Sequence, residues 1–438
     1  MFPKEFEAAQ QPFTRTLLRL SLLWLAVGLV SGALMSLIRR FPALFQACGF
    51  FPAGKVQLFH GGLLIFGWAF PMLFGLWAMR LRQIRREPLR LIPLWEGANR
   101  IWQTALIWGV VASLFGQHST WPTWVWMPVH YGLLWLASAL YLAAAILNRP
   151  DAERLSDQES RGYGLYLAGH AALVIFLFLY MIAPSFFQSQ LPTFTHTLLG
   201  LGLLLPLAGL LIPTPNEQVS ASELPDASSK MFLWGGLILL PLSHSVLSAH
   251  LGGALLWTLA FGAFLAIVLL FLWPLMNFWN TEEAHAHTFW KAGALCLAIF
   301  AIEGLIFAVL RTLGNSPSPL WYSNHSHLLL AGCAVLWLQG AAFQMFDTSR
   351  LYRPRSKSQA TWLVVGLLLM VSGGWLEASL HLHLDQMALS RGTLFASGAR
   401  TLRLLGGLVF LFPLYSMGSA LWNLTRPPTP YELASNGK

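Results

Sequence analysis

Histidine is the residue type through which this chain would do chemistry. Thirteen imidazoles sit in a sequence in which only 10% of residues are charged, and neutral imidazole is a common protein ligand for iron and copper. His60, His196, His244, His325 and His327 all fall near the ends of long apolar runs, with His250 six residues beyond His244. Glu303 places a carboxylate inside another such run. Ionisable groups in a membrane are costly, so each marks either a functional site or a group satisfied by a neighbouring helix. His325 and His327 are i and i+2, which project about 200° apart around a helix. They cannot ligate one ion, but each can reach a separate cofactor. Two hydrogen-bonded interfacial histidines would produce the same spacing, and both alternatives stand at this point.

The elements that must carry these side chains are membrane spans. Hydrophobic residues make up 56% of the 438, and a bilayer-crossing helix needs about 20 apolar residues. Twelve runs qualify: 17–38, 58–79, 101–117, 123–147, 163–184, 194–213, 231–250, 253–279, 288–311, 325–346, 360–380 and 402–423. The expected fold is therefore an all-α integral membrane protein with twelve transmembrane helices in a single membrane domain. The first run is too long for a signal-peptide core and has no small-x-small cleavage site after it, so it is expected to be retained. A formal charge of +9 could imply nucleic acid, but its distribution is that of a membrane topology. With the N-terminus inside, 20 of the 27 Lys and Arg fall inside and 7 outside. The densest inside cluster is Arg80, Arg82, Arg85, Arg86 and Arg90. The expectation is N-in and C-in, with inside loops at 149–161 and 214–230, no soluble domain and no short-period repeat.

With that orientation, His60, His196, His244, His325 and His327 come out within a turn or two of one depth, near the outer face. A bis-His pair on facing helices gives a low-spin b-type haem centre. The cysteines Cys48, Cys296 and Cys333 are scattered and no CxxCH occurs, which excludes covalent c-type haem in this chain.

Several motifs in order resemble subunit I of the haem–copper oxidase superfamily, closest to the cbb-type (C-type) cytochrome c oxidases and the nitric oxide reductase catalytic subunits. The second span, His60-Gly-Gly-Leu-Leu-Ile-Phe-Gly-Trp-Ala-Phe, is similar to the family helix that opens with a low-spin haem ligand. Glu303-Gly304 followed by Asn324-His325-Ser326-His327 is similar to the family's Glu-Gly and His-x-His elements. Arg403-Leu-Leu-Gly406-Gly407, with Asn423 beyond it, fits the last helix. The resemblance implies two b haems, with His60 and His327 the axial pair of a low-spin haem and His325 the proximal ligand of a high-spin one. It implies that His196 and His244 hold a second metal, copper or non-haem iron, beside the latter.

The chain departs from the family at Ser245, where a second seventh-span histidine is expected. His250 could replace that ligand only if the helix end unwinds. The seventh-span tyrosine and the sixth-span glutamate are also missing.

Glu303 then becomes a catalytic candidate, orienting ligands or relaying protons; a carboxyl merely bonded to a neighbouring helix is the alternative. Arg391, Arg400 and Arg403 lie at the outer face against the charge trend, where pairing with haem propionates competes with lipid headgroup contact; Lys55 is a weaker candidate. His285, His287, His381 and His383 read as solvated or interfacial, His170 as too deep to join the cluster, and His118 and His130 remain unassigned. The expected function is a terminal reductase of O2 or NO in a bacterial-type inner (cytoplasmic) membrane, served by a cytochrome c-type subunit or quinol. The partners would be lipid and a diatomic gas, with no nucleic acid. The alternatives are a catalytically reduced relative that binds NO or O2 as a sensor, protector or assembly factor, and a metal or proton transporter.

Overall fold

A computed structural model describes residues 12–41, 60–85, 87–115, 123–151, 155–182, 198–211, 262, 285–313, 324–345, 356–383 and 389–424. The elements are helical and no strand occurs among the described residues. They are α1 (Pro12–Arg40), α2 (His60–Arg85), α3 (Ile92–Phe115), α4 (Thr123–Leu147) and α5 (Asp157–Ile182). Next come α6 (198–211) and α7 (His285–Thr312). The chain closes with α8 (324–345), α9 (Ser356–His383) and α10 (Leu389–Leu424). Seven of these are long and apolar enough to cross a membrane, where backbone polar groups must be satisfied within the segment. The chain is an all-α, multi-pass membrane protein. The expected runs 231–250 and, but for Gly262, 253–279 lie outside the described residues.

Where helix bounds differ from the hydropathy runs, the cause is local. The third run was expected at 101–117, whereas α3 starts at Ile92. Glu96 and Arg100 lower the average there, yet they pair with each other at i,i+4 (3.9 Å) on the outward face. Trp95 and Ala98, on the other face, are fully buried. Likewise α10 begins 13 residues ahead of the 402–423 run, and Arg400 in that extension pairs with Glu377 of α9.

α2 is the most enclosed of the long helices, lined by Trp68, Phe70, Phe74 and Trp77, each 0–1% exposed. α9 and α10 touch backbone to backbone: a Cβ on Gly406 would stand 2.8 Å from the Gly366 carbonyl oxygen.

Three helices carry one device. α2, α6 and α8 each contain seven residues of π-helix, at Leu63–Ala69, Leu198–Leu204 and Leu328–Ala334. Each stretch reads Leu-Leu-x-x-Gly, with the glycines at Gly67, Gly202 and Gly332. Each glycine packs on the preceding long helix, α1, α5 or α7, against Trp24, Leu173 or Cys296. Three positions before the first and third stretches stand His60 and His325. Seven residues beyond Trp24 and Cys296 stand Ser31 and Glu303, and each brings a side-chain oxygen to the Nδ1 of the histidine on the neighbouring helix (3.5 and 3.1 Å). The helix pairs α1–α2 and α7–α8 are thus two copies of one arrangement, and α5–α6 repeats its glycine contact. Extended π-helix is rare and concentrates at functional sites.

Gly332 tests this packing. Its Cβ would lie 2.7 Å from Cys296 Cβ, a collision neither side chain can rotate away from. Gly332→Ala is expected to cost about 1–3 kcal/mol of stability, read as a lower thermal unfolding midpoint in detergent. Ala substitution at Gly97, which meets nothing within 4 Å, should leave the midpoint unchanged or raise it.

Candidate functional site

His60 opens α2 and lies against α1. Its Nδ1 bonds the Gly28 carbonyl at 2.8 Å, with Ser31 Oγ at 3.5 Å. Gly32 makes the seat possible, since a Cβ there would stand 2.5 Å from the ring's Cε1. With Nδ1 donating to a backbone carbonyl, Nε2 is left as the lone-pair nitrogen. That is the tautomer a metal-ligating histidine adopts, its other nitrogen tied to a carbonyl or carboxylate.

His327 faces His60 from α8. The ring centres are 6.2 Å apart and the planes differ by 25°. Rings in direct stacking contact would be about 4 Å apart. A ligating imidazole nitrogen lies about 2 Å from its metal and about 1 Å from its own ring centre, so two axial imidazoles across one ion have centres about 6 Å apart. The His60–His327 separation matches that span, and the donor set fits a bis-His haem.

His325 has different partners. It is 1% exposed, stacks on Phe300 at 3.9 Å and lies 5.4 Å from Phe307. Its Nδ1 meets Glu303 Oε2 at 3.1 Å, and Trp375 Nε1 donates to Glu303 Oε1 at 2.5 Å. Trp375, Glu303 and His325 form a hydrogen-bonded line across α9, α7 and α8. Asn324, also 1% exposed, fills the notch that Gly374 leaves on α9. Glu303 therefore meets the Nδ1 of His325 and holds and orients that ring.

The same end of the bundle gathers charge. Arg400 Nε donates to Glu377 Oε1 at 2.7 Å, and Arg40 Nε donates to Thr401 Oγ1 at 3.0 Å. Arg403 is 6% exposed, and its charge and that of Arg39 reach His60. Among the described residues, Arg39, Arg40, Arg400 and Arg403 gather here with the Glu377 carboxylate, guanidinium groups of the kind that bind an anionic group. Arg400 and Arg403 stand out in the sequence; Arg39, Arg40 and Glu377 join them only in the folded bundle, where α1, α9 and α10 meet. Arg391 falls in the first turn of α10, its side chain outside the described residues.

His196, His244, His250, Ser245 and Lys55 lie outside the described residues. Among the described residues no three His, Cys, Asp or Glu side chains converge into a metal cage; an axial haem site needs none. His130, to which the sequence assigns no role, is seated as His60 is. Its Nδ1 bonds the Ala105 carbonyl at 2.7 Å, and its ring rests on Gly109. The carbonyl and the glycine are four residues apart in both seats, a spacing that could have been searched for.

No protein-family model matches the chain, and no curated protein matches it in sequence.

The Arg400–Glu377 pair gives a stability test. Glu377 is 4% exposed and Arg400 about one-third exposed at its side chain. Arg400→Leu strands a buried carboxylate and should cost about 2–3 kcal/mol, below the 3–5 of a fully buried pair. Arg400→Leu with Glu377→Leu should recover most of that loss. Thermal unfolding of both variants reads the difference.

Proposed function

We propose that this chain is a membrane haem-b protein of the terminal-reductase type, reducing O2 or NO. The observation that carries the proposal is the His60–His327 pair, held 6.2 Å apart by two different helices, with the Nδ1 of His60 committed to a carbonyl. Bound haem would supply one-electron redox chemistry and, at a five-coordinate site, an open position for a diatomic ligand.

The chain's own residues have separable tasks. His60 and His327 would together hold a low-spin haem, and His325 would hold a high-spin one. Glu303, aligned by Trp375, accepts the His325 Nδ1 proton and so raises the ring's basicity as a ligand. Arg39, Arg40, Arg400 and Arg403 offset carboxylate charge at the same end. The chain-wide Lys/Arg distribution supports an orientation with that end outside and the Arg80–Arg90 segment inside, these four arginines running against the trend. His196 and His244 are the proposed ligands of a copper or non-haem iron, with His250 in reserve. A cytochrome c-type subunit or quinol is the proposed electron donor.

Two measurements follow. Purified protein should contain two non-covalent b haems per chain by pyridine haemochrome; a folded protein with no haem overturns the proposal. His60→Ala and His327→Ala should each abolish the low-spin spectrum, whereas His325→Ala should abolish CO binding and spare it.

The second metal has its own test. A two-histidine site loses one strong ligand, so copper should be substoichiometric. Ser245→His should raise copper per haem and the turnover of O2 or NO. Absence of metal and turnover from both proteins would favour a haem-based sensor or assembly role.

A further inference from the structure

The seam between α4 and α5 carries polar side chains that the haem reading does not use. On α5, Tyr163, Tyr166 and His170 are i, i+3 and i+7 and share one face. Opposite them on α4 stand Ala145, Tyr141 and Ser138, in antiparallel register. Tyr163 OH donates to the Ala145 carbonyl at 3.0 Å. Tyr166 OH and His170 Nδ1 share a hydrogen bond of 3.2 Å. The His170 ring lies beside the Ser138 carbonyl and stacks on Phe74 of α2 at 4.8 Å. Tyr141 packs on the same Phe74 at 4.6 Å, and Trp95 of α3 lies 5.8 Å from Tyr141.

Four polar atoms in this small region make no hydrogen bond with any described residue: His170 Nε2, Tyr141 OH, Ser138 Oγ and Trp95 Nε1. Their residues are 0–1% exposed. Each such atom would cost about 1–3 kcal/mol if left dry. Buried polar atoms that lack protein partners are the ordinary binding partners of internal water, which typically makes about three hydrogen bonds.

We propose that α2, α3, α4 and α5 enclose a bound-water site at His170, built from Tyr141, Ser138 and Trp95 and joined through Tyr166 and Tyr163 to the aqueous phase at the Arg85 end of the bundle. His170 is about 20 Å along α5 from Asp157 at that end, by helix rise. The site therefore reaches the middle of the bilayer, and Tyr163, 6% exposed, stands at its mouth. The ligand class is water, and the consequence is a histidine at mid-membrane whose ring proton exchanges with one aqueous phase. The proposal does not depend on haem.

Two measurements test it on the full-length protein. If water satisfies these atoms, Tyr141→Phe and Ser138→Ala each remove a partner and lower the thermal midpoint; if the atoms are dry, both variants raise it. The second measurement follows the ring N–H of His170 after transfer to 2H2O, in protein labelled with 15N-histidine. His170→Phe identifies the signal. The ring proton should exchange at least tenfold faster than the amides of the middle of α5, and Tyr166→Phe should slow it while leaving those amides unchanged. A rise in midpoint for both packing variants overturns the proposal, as does ring exchange no faster than the amides.

Discussion

The bond between a histidine Nδ1 and an oxygen on the neighbouring helix is the interaction on which the candidate site depends. An imidazole in a bilayer must donate its proton somewhere, and water is not there to take it. Here Gly28, Ala105 and Glu303 take it for His60, His130 and His325. Each bond selects the tautomer in which Nε2 keeps its lone pair. Such a bond also requires close helices, and glycine provides that closeness at Gly32 and Gly109, where any side chain would occupy the ring's place.

From this constraint the architecture of the histidine end follows. The π-helical stretches in α2, α6 and α8 each bring a glycine against the preceding long helix. The two fully described copies differ in chemistry at one position. Ser31 stands beside His60 and Glu303 beside His325. A hydroxyl and a carbonyl leave an ordinary neutral imidazole, whereas a carboxylate draws the Nδ1 proton and makes the ring a stronger donor. One scaffold thus holds two imidazoles of unequal basicity, which is what the two proposed haems would need.

Opposite that end, charge is handled by pairing rather than by exposure. Arg85 reaches Asn148 at 2.6 Å and Glu87 at 3.2 Å, and Asn148 in turn bonds the backbone at Arg90. These contacts close the ends of α2 and α4 together. The aromatic core around Phe74, Trp102 and Tyr141 fills the space between α2 and α5, and four polar atoms along it make no hydrogen bond with any described residue.

The sequence by itself determined the membrane class, because composition and unbroken apolar runs leave a helix as the only way to satisfy the backbone in lipid. It also determined which histidines stand near helix ends and that His325 and His327 must face different ways, since helix phase is set by residue spacing alone. The partners of those histidines were decided only by the tertiary structure. Nothing in the neighbourhood of His60 names Gly28, nor does Glu303 announce that it bonds His325 rather than an open coordination position. Those choices depend on which helices touch and at what height. The same holds for Glu377, Arg39 and Arg40, which sit on different helices and became one charged cluster only when the helix ends met. The α4–α5 polar seam was invisible for a related reason: its tyrosines and serine are spaced as ordinary core positions, and only packing shows which of their polar atoms are left without a partner among the described residues.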